Sequence, residues 1–321
     1  MRVLVTGAAG FIGSHVTRRI VQEGHTVWAV VSPQRSTERL ADILERVSVA
    51  RVDLRDPKTV QELVCLARPD CAIHMAWYAA PARFWASEQN LNCVNMSLNL
   101  AQCLAEVGCS RLVAAGSCAE YDWDYGFLSE DATPLRPRTL YGVCKNATRQ
   151  VLQAYCERVS MKFAWTRFFY LYGPGEAKLR LVPSVILALL SGQPAKCTEG
   201  KQIRDFLHVE DVASAVWAVA QSNLTGPVNI GSGEPVRIRT VAETLERMVT
   251  GGNVVFGALP TDPDEAPFLV ADVRRLRLHT GWQPAWQLKD GLRQVVLWWL
   301  EKEGGRKDDC EQALESFRGP C

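Results

Sequence analysis

Short apolar runs and longer amphipathic segments alternate through the first half of the chain. The apolar runs are RVLVTG, TVWAVV, VSVARVDL, CAIHMA, RLVAAGS and FAWTRFFYLYG, and segments of helical periodicity such as SHVTRRIVQEG and VQELVCLAR separate them. Nearly continuous Val, Ile, Leu and Ala in a short run is typical of parallel strands that are buried on both faces. Strands that alternate with helices in this way predict an α/β fold built on a doubly wound parallel sheet.

The alternation loosens after Gly173. Helix-like segments such as LVPSVILALLSG and LKDGLRQVVLWWLEKEG are then separated by short strands and proline turns. We therefore predict a larger domain made of residues 1–172 together with a segment at about 205–230 that returns to it. Residues 173–204 and 231–321 are predicted to form a smaller C-terminal α/β lobe, whose polar tail from about residue 304 should be loosely held.

Composition and charge exclude several functional classes. A net charge of +1 over 321 residues gives no electrostatic case for binding nucleic acid or an acidic membrane surface. No apolar run reaches the roughly 18 residues that a membrane-spanning helix needs, and MRVLVTGAAGF lacks the pattern of a signal peptide. The 11 cysteines include no Cys-x-x-Cys pair, which argues against a disulfide framework and a zinc site. We expect a cytoplasmic protein without a metal.

Three glycines directly follow the first predicted strand. VLVTGAAGFIGSHV places Gly7, Gly10 and Gly13 where a strand gives way to a helix, with the spacing G-x-x-G-x-x-G. Glycine permits a tight turn and a close approach of the backbone to a pyrophosphate, which then lies against free N–H groups at the helix N-terminus. Glycine loops also occur as ordinary turns, but the strand–loop–helix context favours dinucleotide binding by the larger domain.

The end of the second predicted strand indicates which dinucleotide binds. An NAD site usually offers Asp or Glu about 20 residues after the loop, where the carboxylate binds the 2′-hydroxyl of the adenosine ribose. Residues 27–37 contain no carboxylate, and Ser32 and Arg35 can instead bind a 2′-phosphate. NADP(H) is therefore favoured over NAD(H), the alternative being that Arg35 is a solvated loop charge. Asp53 either accepts a hydrogen bond from the adenine amino group or caps the next helix, as Asp56 can also do.

Tyr141 and Lys145 stand four residues apart in TLYGVCKNA, a segment that is typical of a helix start. Residues at i and i+4 share one helix face, so the phenol and the ammonium can reach the same small volume. A fixed cation lowers the pKa of a phenol toward the range of a usable general acid/base. The alternative is an ordinary pair on a helix surface, and the glycine loop favours the catalytic interpretation.

Taken together, the motifs resemble the extended short-chain dehydrogenase/reductase family, in the branch of epimerases, dehydratases and reductases that act on nucleotide-diphosphate sugars. The resemblance spans most of the chain through TGAAGFIG, VDLRD, HMAW, GSCAEYD, YGVCK, TRFFYLYGPGE, IRDFLHVEDVA, VNIGSGEP and HTGWQP. It implies a Rossmann domain, a substrate-binding C-terminal lobe, a nucleotide-diphosphate sugar as substrate, and a homodimer formed through a four-helix bundle. The cofactor-binding residues it implies are Gly7, Gly10, Phe11, Ile12, Gly13, Ser32, Arg35, Asp53, Leu54, Ala76, Tyr141 and Lys145.

The resemblance also supplies a third catalytic residue. The family carries a Ser or Thr four residues before a tyrosine after the fifth strand, and SCAEY places Ser117 at that position. It implies that Ser117 holds the sugar oxygen against Tyr141, whose phenol passes a proton to or from that oxygen as hydride moves. Lys145 is then expected to lower the phenol pKa and to bond the nicotinamide ribose.

Three positions depart from the family pattern. The 4,6-dehydratases carry Asp-Glu after the Ser or Thr, where this chain has Cys118 and Ala119. The 3,5-epimerising members carry a cysteine at the position of Ala119, so Cys118 stands one residue early and is interpreted as a packing residue. In RFFYLYG, Tyr170 replaces the asparagine that binds the substrate diphosphate in the family. Dehydratase chemistry is therefore disfavoured.

Candidate substrate-binding residues are Arg83, Tyr170 and Arg204. Arg204 in IRDF matches the arginine that binds the diphosphate in the family, and the alternative is a surface ion pair with Asp205. Arg83 lies in WYAAPARFWASEQN, whose aromatic residues either line the sugar pocket or pack as an ordinary loop.

These features rank three functions. The leading hypothesis is an NADPH-dependent reductase of a nucleotide-diphosphate 4-keto-sugar, because the catalytic residues are present and the NAD carboxylate is missing. The alternative is an NAD-dependent C4 epimerase, which oxidises and re-reduces one carbon. A non-catalytic NADP-binding redox sensor is disfavoured, because such a protein is expected to lack the tyrosine or the lysine.

Overall fold

The computed structural model describes residues 1–81, 83–249 and 251–304. In chain order its strands are β1 (Arg2–Thr6), β2 (Thr26–Val31), β3 (Ser48–Arg51), β4 (Cys71–His74), β5 (Arg111–Ser117), β6 (Phe127–Leu128), β7 (Lys162–Phe168), β8 (Tyr170–Tyr172), β9 (Ala195–Lys196), β10 (Ile203–His208), β11 (Gly226–Ile230), β12 (Pro235–Arg237), β13 (Val254–Val255) and β14 (Phe268–Ala271). The α-helices are α1 (Phe11–Gln22), α2 (Pro57–Ala67), α3 (Gln89–Glu106), α4 (Leu140–Arg158), α5 (Leu181–Leu190), α6 (Val209–Gln221), α7 (Ile238–Met248), α8 (Arg274–Thr280) and α9 (Leu288–Lys302). Short 3-10 helices cover Glu38–Arg46, Cys118–Glu120 and Trp123–Tyr125.

The larger sheet has seven parallel strands in the order β11-β7-β5-β4-β1-β2-β3. Its strands are buried on both faces, as their continuous apolar sequences predict. Val3 and Val5 face one layer with α1 and α6, and Leu4 faces the opposite layer with α2, α3 and α4. The predicted doubly wound Rossmann fold is confirmed.

Side-chain caps fix the starts of α2 and α4. Asp56 caps α2 by accepting a hydrogen bond from the Lys58 backbone N–H at 3.1 Å. The helix-cap alternative for Asp53 therefore does not apply, because Asp56 fills that role. Thr139 caps α4 by accepting from the Gly142 N–H at 3.1 Å, which fixes the first turn of α4.

The second lobe has its own sheet and core. Strands run in the order β12-β10-β14-β6, with β8 paired to β10, and β9 pairs with β13. Helices α5, α7 and α9 enclose a core that includes Ile186, Leu245, Val295 and Trp299. β10 belongs to this second sheet, whereas α6 packs on α1 and β11 completes the larger sheet. The division into a dinucleotide-binding domain and a substrate-binding lobe stays a prediction, and the predicted polar tail after Gly304 lies outside the described residues.

The apolar run FAWTRFFYLYG is two strands in different sheets, not the single strand that its sequence predicts. β7 ends at Phe168 in the larger sheet, and β8 starts at Tyr170 and pairs with β10 in the second lobe. The Phe169 N–H still donates to the Ile230 carbonyl at 3.3 Å, so the chain changes sheets without an unpaired backbone amide. Both halves of the run are apolar in sequence, so the hydrophobic pattern carries no sign of the crossing.

Within the described part of the chain, no helix has both the length and the hydrophobicity needed to cross a bilayer. Every cysteine in those ranges has a free thiol. The same ranges contain no group of three His, Cys, Asp or Glu side chains placed to hold a metal ion.

Candidate active site

The glycine loop between β1 and α1 leaves no room for side chains. Gly7 has a φ of +67°, and a Cβ there would lie 2.8 Å from the Ala76 backbone nitrogen. A Cβ on Gly13 would lie 2.1 Å from the Gly7 carbonyl oxygen. Gly10 is the N-cap of α1 and has no side chain to cap the helix. The backbone N–H groups of the first turn, which begins with Phe11 and Ile12, therefore remain available to a ligand. This cradle fits the pyrophosphate of a dinucleotide.

The C-terminal end of β2 is lined with guanidinium groups. Ser32 and Arg35 are both exposed there. The guanidinium of Arg51 donates to the backbone carbonyls of Pro33 at 3.3 Å and of Arg35 at 3.0 Å. Burial and the nearby charge of Arg35 lower the pKa of Arg39, which places a third guanidinium close by. This end of the sheet therefore offers several cations to an anionic group.

The remaining predicted cofactor contacts lie at the same edge of the sheet. Asp53 is engaged by Arg55, whose Nε and Nη2 donate to its carboxylate at 2.9 and 2.6 Å and lower the pKa of Asp53. Leu54 is buried, and the Ala76 N–H donates to Thr6 Oγ1 at 3.3 Å beside the glycine loop. To bind an adenine amino group, the Asp53 carboxylate must either release Arg55 or accept hydrogen bonds from Arg55 and the adenine together.

Ser117, Tyr141 and Lys145 come together beside the glycine loop. Ser117 ends β5, and the first two turns of α4 carry Tyr141 and Lys145. The Ser117 hydroxyl is close enough to the Tyr141 phenol to lower the pKa of that phenol. The Lys145 ammonium is buried and donates to the Ala115 carbonyl at 2.6 Å. The fold thus brings the three predicted catalytic side chains into one site.

The predicted effect of Lys145 on Tyr141 is wrong for the protein in this state. Burial raises the pKa of Tyr141 above its ordinary value, by more than the nearby Ser117 hydroxyl lowers it. Burial lowers the pKa of Lys145 to about 7. The ammonium lies over the Trp77 ring at 3.7 Å and is 5.8 Å from the Tyr141 ring centroid. Tyr141 is therefore a neutral phenol at neutral pH, because its charge would be poorly solvated and Lys145 is turned toward other partners.

Aromatic rings pack edge-on against the Tyr141 ring. Edge-to-face contacts place the rings of Phe84, Trp85 and Trp77 at 4.8, 5.7 and 6.4 Å from the Tyr141 ring. Asn90 holds this loop in place, because its amide donates to the Phe84 carbonyl at 2.8 Å and accepts from the Trp77 indole at 2.9 Å. The sequence leaves open whether these aromatic residues line a sugar pocket or pack as an ordinary loop. In the structure their rings pack against Tyr141. Arg83 is exposed, and its role in substrate binding stays a prediction.

A buried ion pair that the sequence analysis missed supports Ser117. Glu120 is fully buried and accepts hydrogen bonds from Arg167 Nε at 2.9 Å, from the Trp165 indole at 2.8 Å and from the Ser117 backbone N–H at 2.8 Å. The Ser117 hydroxyl in turn accepts from the Ala119 N–H at 3.1 Å. This is a capping box, and the S-x-x-E spacing of SCAE is the sequence signal that could have found it.

Cys118 is buried beside this turn, and burial raises its pKa to about 12. A thiol with that pKa is not a general acid/base at neutral pH. The packing role predicted for Cys118 therefore agrees with its surroundings.

A second polar group is centred on Arg204 in the second lobe. Arg204 is fully buried, and its Nη2 donates to Glu265 at 2.7 Å. The guanidinium carbon lies 5.1 Å from the Tyr170 ring centroid. Its partner is not Asp205, whose carboxylate accepts hydrogen bonds from Ser232, Gly233 and Ala271. The alternative of a surface ion pair is therefore wrong, and the roles of Tyr170 and Arg204 toward a substrate stay predictions.

Two charged residues of the loop after β8 were also missed. Arg180 lies 5.6 Å from the Phe84 ring centroid, and its charge acts on the Tyr141 phenol. Glu176 is buried, and burial raises its pKa to about 8. In YGPGEAKLR these residues look like an ordinary polar loop, so the sequence gives no sign that one of them is buried.

Comparison with known proteins places the chain among nucleotide-sugar enzymes. The model of the NAD dependent epimerase/dehydratase family matches residues 3–231. UDP-glucuronic acid decarboxylase 1 of Xenopus tropicalis is 27% identical, over 92% of this chain and 71% of that protein. A probable UDP-glucuronate 4-epimerase of Rhizobium meliloti (strain 1021) is 26% identical, over 93% of this chain and 97% of that protein. The solved structure of MoeE5 in complex with UDP-glucose and NAD has a TM-score of 0.80 and 29% identity, and the match covers 94% of this chain and all of that one.

Proposed function

The chain belongs to the NAD dependent epimerase/dehydratase family, and from this premise we propose that it transfers hydride between a nicotinamide dinucleotide and C4 of a nucleotide-diphosphate sugar. The meeting of Ser117, Tyr141 and Lys145 beside the glycine cradle carries this proposal. MoeE5, with its bound UDP-glucose and NAD, supports the substrate class and the cofactor class.

The bound dinucleotide would supply the hydride donor or acceptor, held by the glycine loop, the end of β2 and Lys145. The Ser117 hydroxyl orients the sugar oxygen. The Ser117 backbone N–H donates to Glu120, and this bond helps to fix the position of the hydroxyl. Tyr141 holds the proton that this oxygen gains when a ketone becomes an alcohol. The rings of Phe84 and Trp85 pack against the Tyr141 ring and hold it in place for proton transfer to or from the substrate.

The neutral state of Tyr141 agrees with reduction of a 4-keto-sugar, although a phenol with its ordinary pKa would also be neutral at this pH. Reduction of a ketone begins with a proton donor, and a phenol with a raised pKa is in the donor form at neutral pH. Oxidation of an alcohol begins instead with a base. The lack of a carboxylate in residues 32–37, beside Arg35, Arg39 and Arg51, supports NADPH as the hydride source.

Replacement of Arg35 by Ala tests the cofactor choice. A fork-shaped guanidinium pairs well with a 2′-phosphate, so Arg35→Ala should lose about 1–3 kcal/mol of NADP(H) binding free energy and change NAD(H) binding little. Titration calorimetry with both cofactors measures this, with Arg237→Ala, an exposed arginine of the second lobe, as the control. Equal wild-type affinity for the two cofactors, or equal losses in the variant, would overturn the NADP preference.

A C4 epimerase is the second candidate, and the comparisons favour it. One relative is a probable UDP-glucuronate 4-epimerase, and MoeE5 was solved with NAD. An epimerase should purify with a tightly bound dinucleotide and interconvert two sugar nucleotides without net cofactor consumption. A reductase should oxidise one NADPH for each 4-keto-sugar nucleotide that it reduces. Product analysis by NMR, together with the absorbance of the reduced nicotinamide, distinguishes them.

Dehydration receives no support from the site. Elimination of water needs an acid and a base beside Ser117, and those positions hold a buried thiol with a pKa of about 12 and the methyl group of Ala119. The redox-sensor function also receives little support, because the catalytic side chains are present and close together.

The substrate diphosphate is proposed to bind near Arg204. This guanidinium is already paired with Glu265, and Gln202 Nε2 donates to the same carboxylate at 2.8 Å. A diphosphate must therefore displace Glu265 or bind beside it. The exposed Arg83 is proposed to contact the substrate from the aromatic loop.

An apolar outer face on α3 and α4 supports the proposed homodimer. The two helices pack side by side, and Leu91 on α3 with Val143 and Val151 on α4 are about half exposed, at 53%, 48% and 49%. Leu98, Val151 and Tyr155 line a shallow depression between the helices. Two such pairs of helices from two copies of the chain would make a four-helix bundle that buries these side chains.

Val151→Glu should convert the dimer to a monomer, because a carboxylate at the centre of this face would be buried without a partner. Sedimentation velocity or light scattering reads the mass directly. Leu278→Glu on α8 is the control, since Leu278 is 83% exposed and lies away from α3 and α4. A wild-type monomer, or a dimer that persists in Val151→Glu, would contradict the proposed interface.

A cytoplasmic location stays a prediction.

A further inference from the structure

The buried ammonium of Lys145 has few polar groups around it to stabilise its charge. Lys145 is 2% exposed, and its ammonium donates to the Ala115 carbonyl at 2.6 Å. The charge of Glu120 also acts on Lys145, but the Glu120 carboxylate is engaged by Arg167 at 2.9 Å. Because a charge that leaves water must be compensated by other groups, this ammonium needs a further partner.

The face of the Trp77 indole is that partner. The Lys145 ammonium lies over the Trp77 ring, 3.7 Å from its centroid, whereas the Trp165 ring centroid is 5.6 Å away. An aromatic face attracts a cation within about 6 Å, and the attraction is strongest for tryptophan and for cations that water does not reach. The contact with Trp77 therefore stabilises the charged form of Lys145 where no free carboxylate does so.

Hydrogen bonds fix the Trp77 ring in this position. Its indole N–H donates to the Asn90 side-chain oxygen at 2.9 Å, and the fully buried Asn90 in turn donates to the Phe84 carbonyl at 2.8 Å. On the other side, Trp77 directly follows Ala76, whose backbone lies against the glycine loop. Both the backbone and the indole N–H of Trp77 are thus held, so the face of the ring stays over Lys145.

On the proposed function, in which Lys145 binds the nicotinamide ribose, we infer that Trp77 is a positioning residue that keeps the Lys145 ammonium charged and in place for the dinucleotide. An ammonium has three donors, and the bond to Ala115 uses one of them. The ring face stabilises the charge without accepting a conventional hydrogen bond, so donors remain for the ribose hydroxyls. No covalent bond forms or breaks in this role.

Loss of the ring face should lower the pKa of Lys145 further. Burial already lowers this pKa to about 7, and the ring face favours the protonated form. Other titratable groups near the ammonium are His74 of β4, Cys93 of α3, Glu120 after β5 and Tyr141 of α4. These groups are the same in the wild type and in a Trp77 variant, so a difference between the two proteins reports on the ring.

Two substitutions separate the ring face from simple packing. Trp77→Leu keeps an apolar side chain but removes the aromatic face, and Trp77→Phe restores a face that can hold a cation. Trp298→Leu is the matched control, because Trp298 is a half-buried tryptophan of α9 in the second lobe. Lys145→Met removes the ammonium and identifies its NMR signal by the loss of that signal.

The first measurement uses the full-length protein without a dinucleotide. Lysine labelled with ¹³C at Cε is followed by NMR from about pH 5 to about pH 10. We expect the titration midpoint of Lys145 to fall by about one pH unit in Trp77→Leu and by less than about half a unit in Trp77→Phe. The midpoint should not move in Trp298→Leu.

The second measurement is a double-mutant cycle on dinucleotide affinity. Calorimetry at about pH 7 uses the oxidised dinucleotide, NAD or NADP, that binds the wild type more tightly. Trp77→Leu should weaken binding about fivefold, because the charged fraction of Lys145 falls from about one half to about one tenth at that pH. In the Lys145→Met background the same change should cost less than about twofold, and Trp77→Phe should recover most of the loss.

An unchanged Lys145 midpoint in Trp77→Leu, or an equal loss of affinity with and without Lys145, would show that Trp77 only packs and would overturn the inference. If Trp77→Leu does not fold, Trp77→Met replaces it, with the same expected shift. Failure of every dinucleotide to bind the wild type would instead overturn the proposed function, and the NMR titration would still decide whether the ring acts on Lys145.

Discussion

Replacement of Tyr141 by Phe is expected to lower turnover by roughly 10²–10⁴, the range attributed to a positioned general acid/base. The substitution removes only the hydroxyl, which lies near Ser117, and leaves the ring, which Phe84 and Trp85 contact, in place. Dinucleotide affinity should stay close to that of the wild type, because the glycine loop and the end of β2 are untouched. Steady-state kinetics and calorimetry measure the two quantities separately.

Tyr155→Phe is the matched control for this variant. Tyr155 lies on the same helix as Tyr141 and on the face that packs toward α3. Removing the Tyr155 hydroxyl should therefore leave turnover unchanged. If Tyr141→Phe kept more than about a tenth of wild-type turnover, the proton would have to come from another group.

Glu120→Ala should lower the free energy of unfolding by about 3–5 kcal/mol, the range for removing one partner of a buried ion pair. The side chains of Glu120 and Arg167 are 0% and 1% exposed, so the guanidinium would be left buried without its carboxylate. The Trp165 indole and the Ser117 N–H would each lose their acceptor as well. Turnover of the folded fraction should also fall, because the turn that holds Ser117 loses its capping box.

Urea unfolding of wild type and variant measures the stability change. Glu23→Ala is the control, because Glu23 pairs with Arg19 at 2.7 Å on the surface of α1, with both side chains about 40% exposed. An exposed pair contributes about 0–1 kcal/mol. A double variant in which Met replaces both Glu120 and Arg167 should recover part of the loss, since no charge is then left unpaired. A loss below about 1 kcal/mol in Glu120→Ala would show that the pair does not stabilise this turn.

Local sequence patterns predicted the parts of this molecule that local physics determines. Continuous apolar runs identify strands that are buried on both faces, and the glycine spacing identifies positions where a Cβ would meet the backbone, as at Gly13. The i, i+4 spacing places Tyr141 and Lys145 on one helix face. In each case the residues that decide the structure lie within a few positions of one another.

Long-range packing determined the features that the sequence did not reveal. The Lys145 ammonium points to Trp77, which is far away in sequence, so its effect on Tyr141 could not be read from their spacing. Arg204 pairs with Glu265 and not with its neighbour Asp205, because the second sheet brings β10 and β14 together. The burial of Glu176 likewise depends on the elements that cover its loop. These contacts form only in the folded protein. They leave the identity of the site residues unchanged and alter the electrostatics around them.

Transient reduction of the dinucleotide in a single turnover tests the central proposal most directly. Stopped-flow absorbance would follow a stoichiometric mixture of the protein, its oxidised dinucleotide and a nucleotide-diphosphate sugar carrying deuterium at C4. The account predicts that reduced nicotinamide forms and that mass spectrometry finds the deuterium on the cofactor. It also predicts that Tyr141→Phe binds both ligands but forms no reduced nicotinamide. Binding of both ligands by the wild type without any transfer of deuterium, across a panel of nucleotide sugars, would contradict hydride transfer at C4.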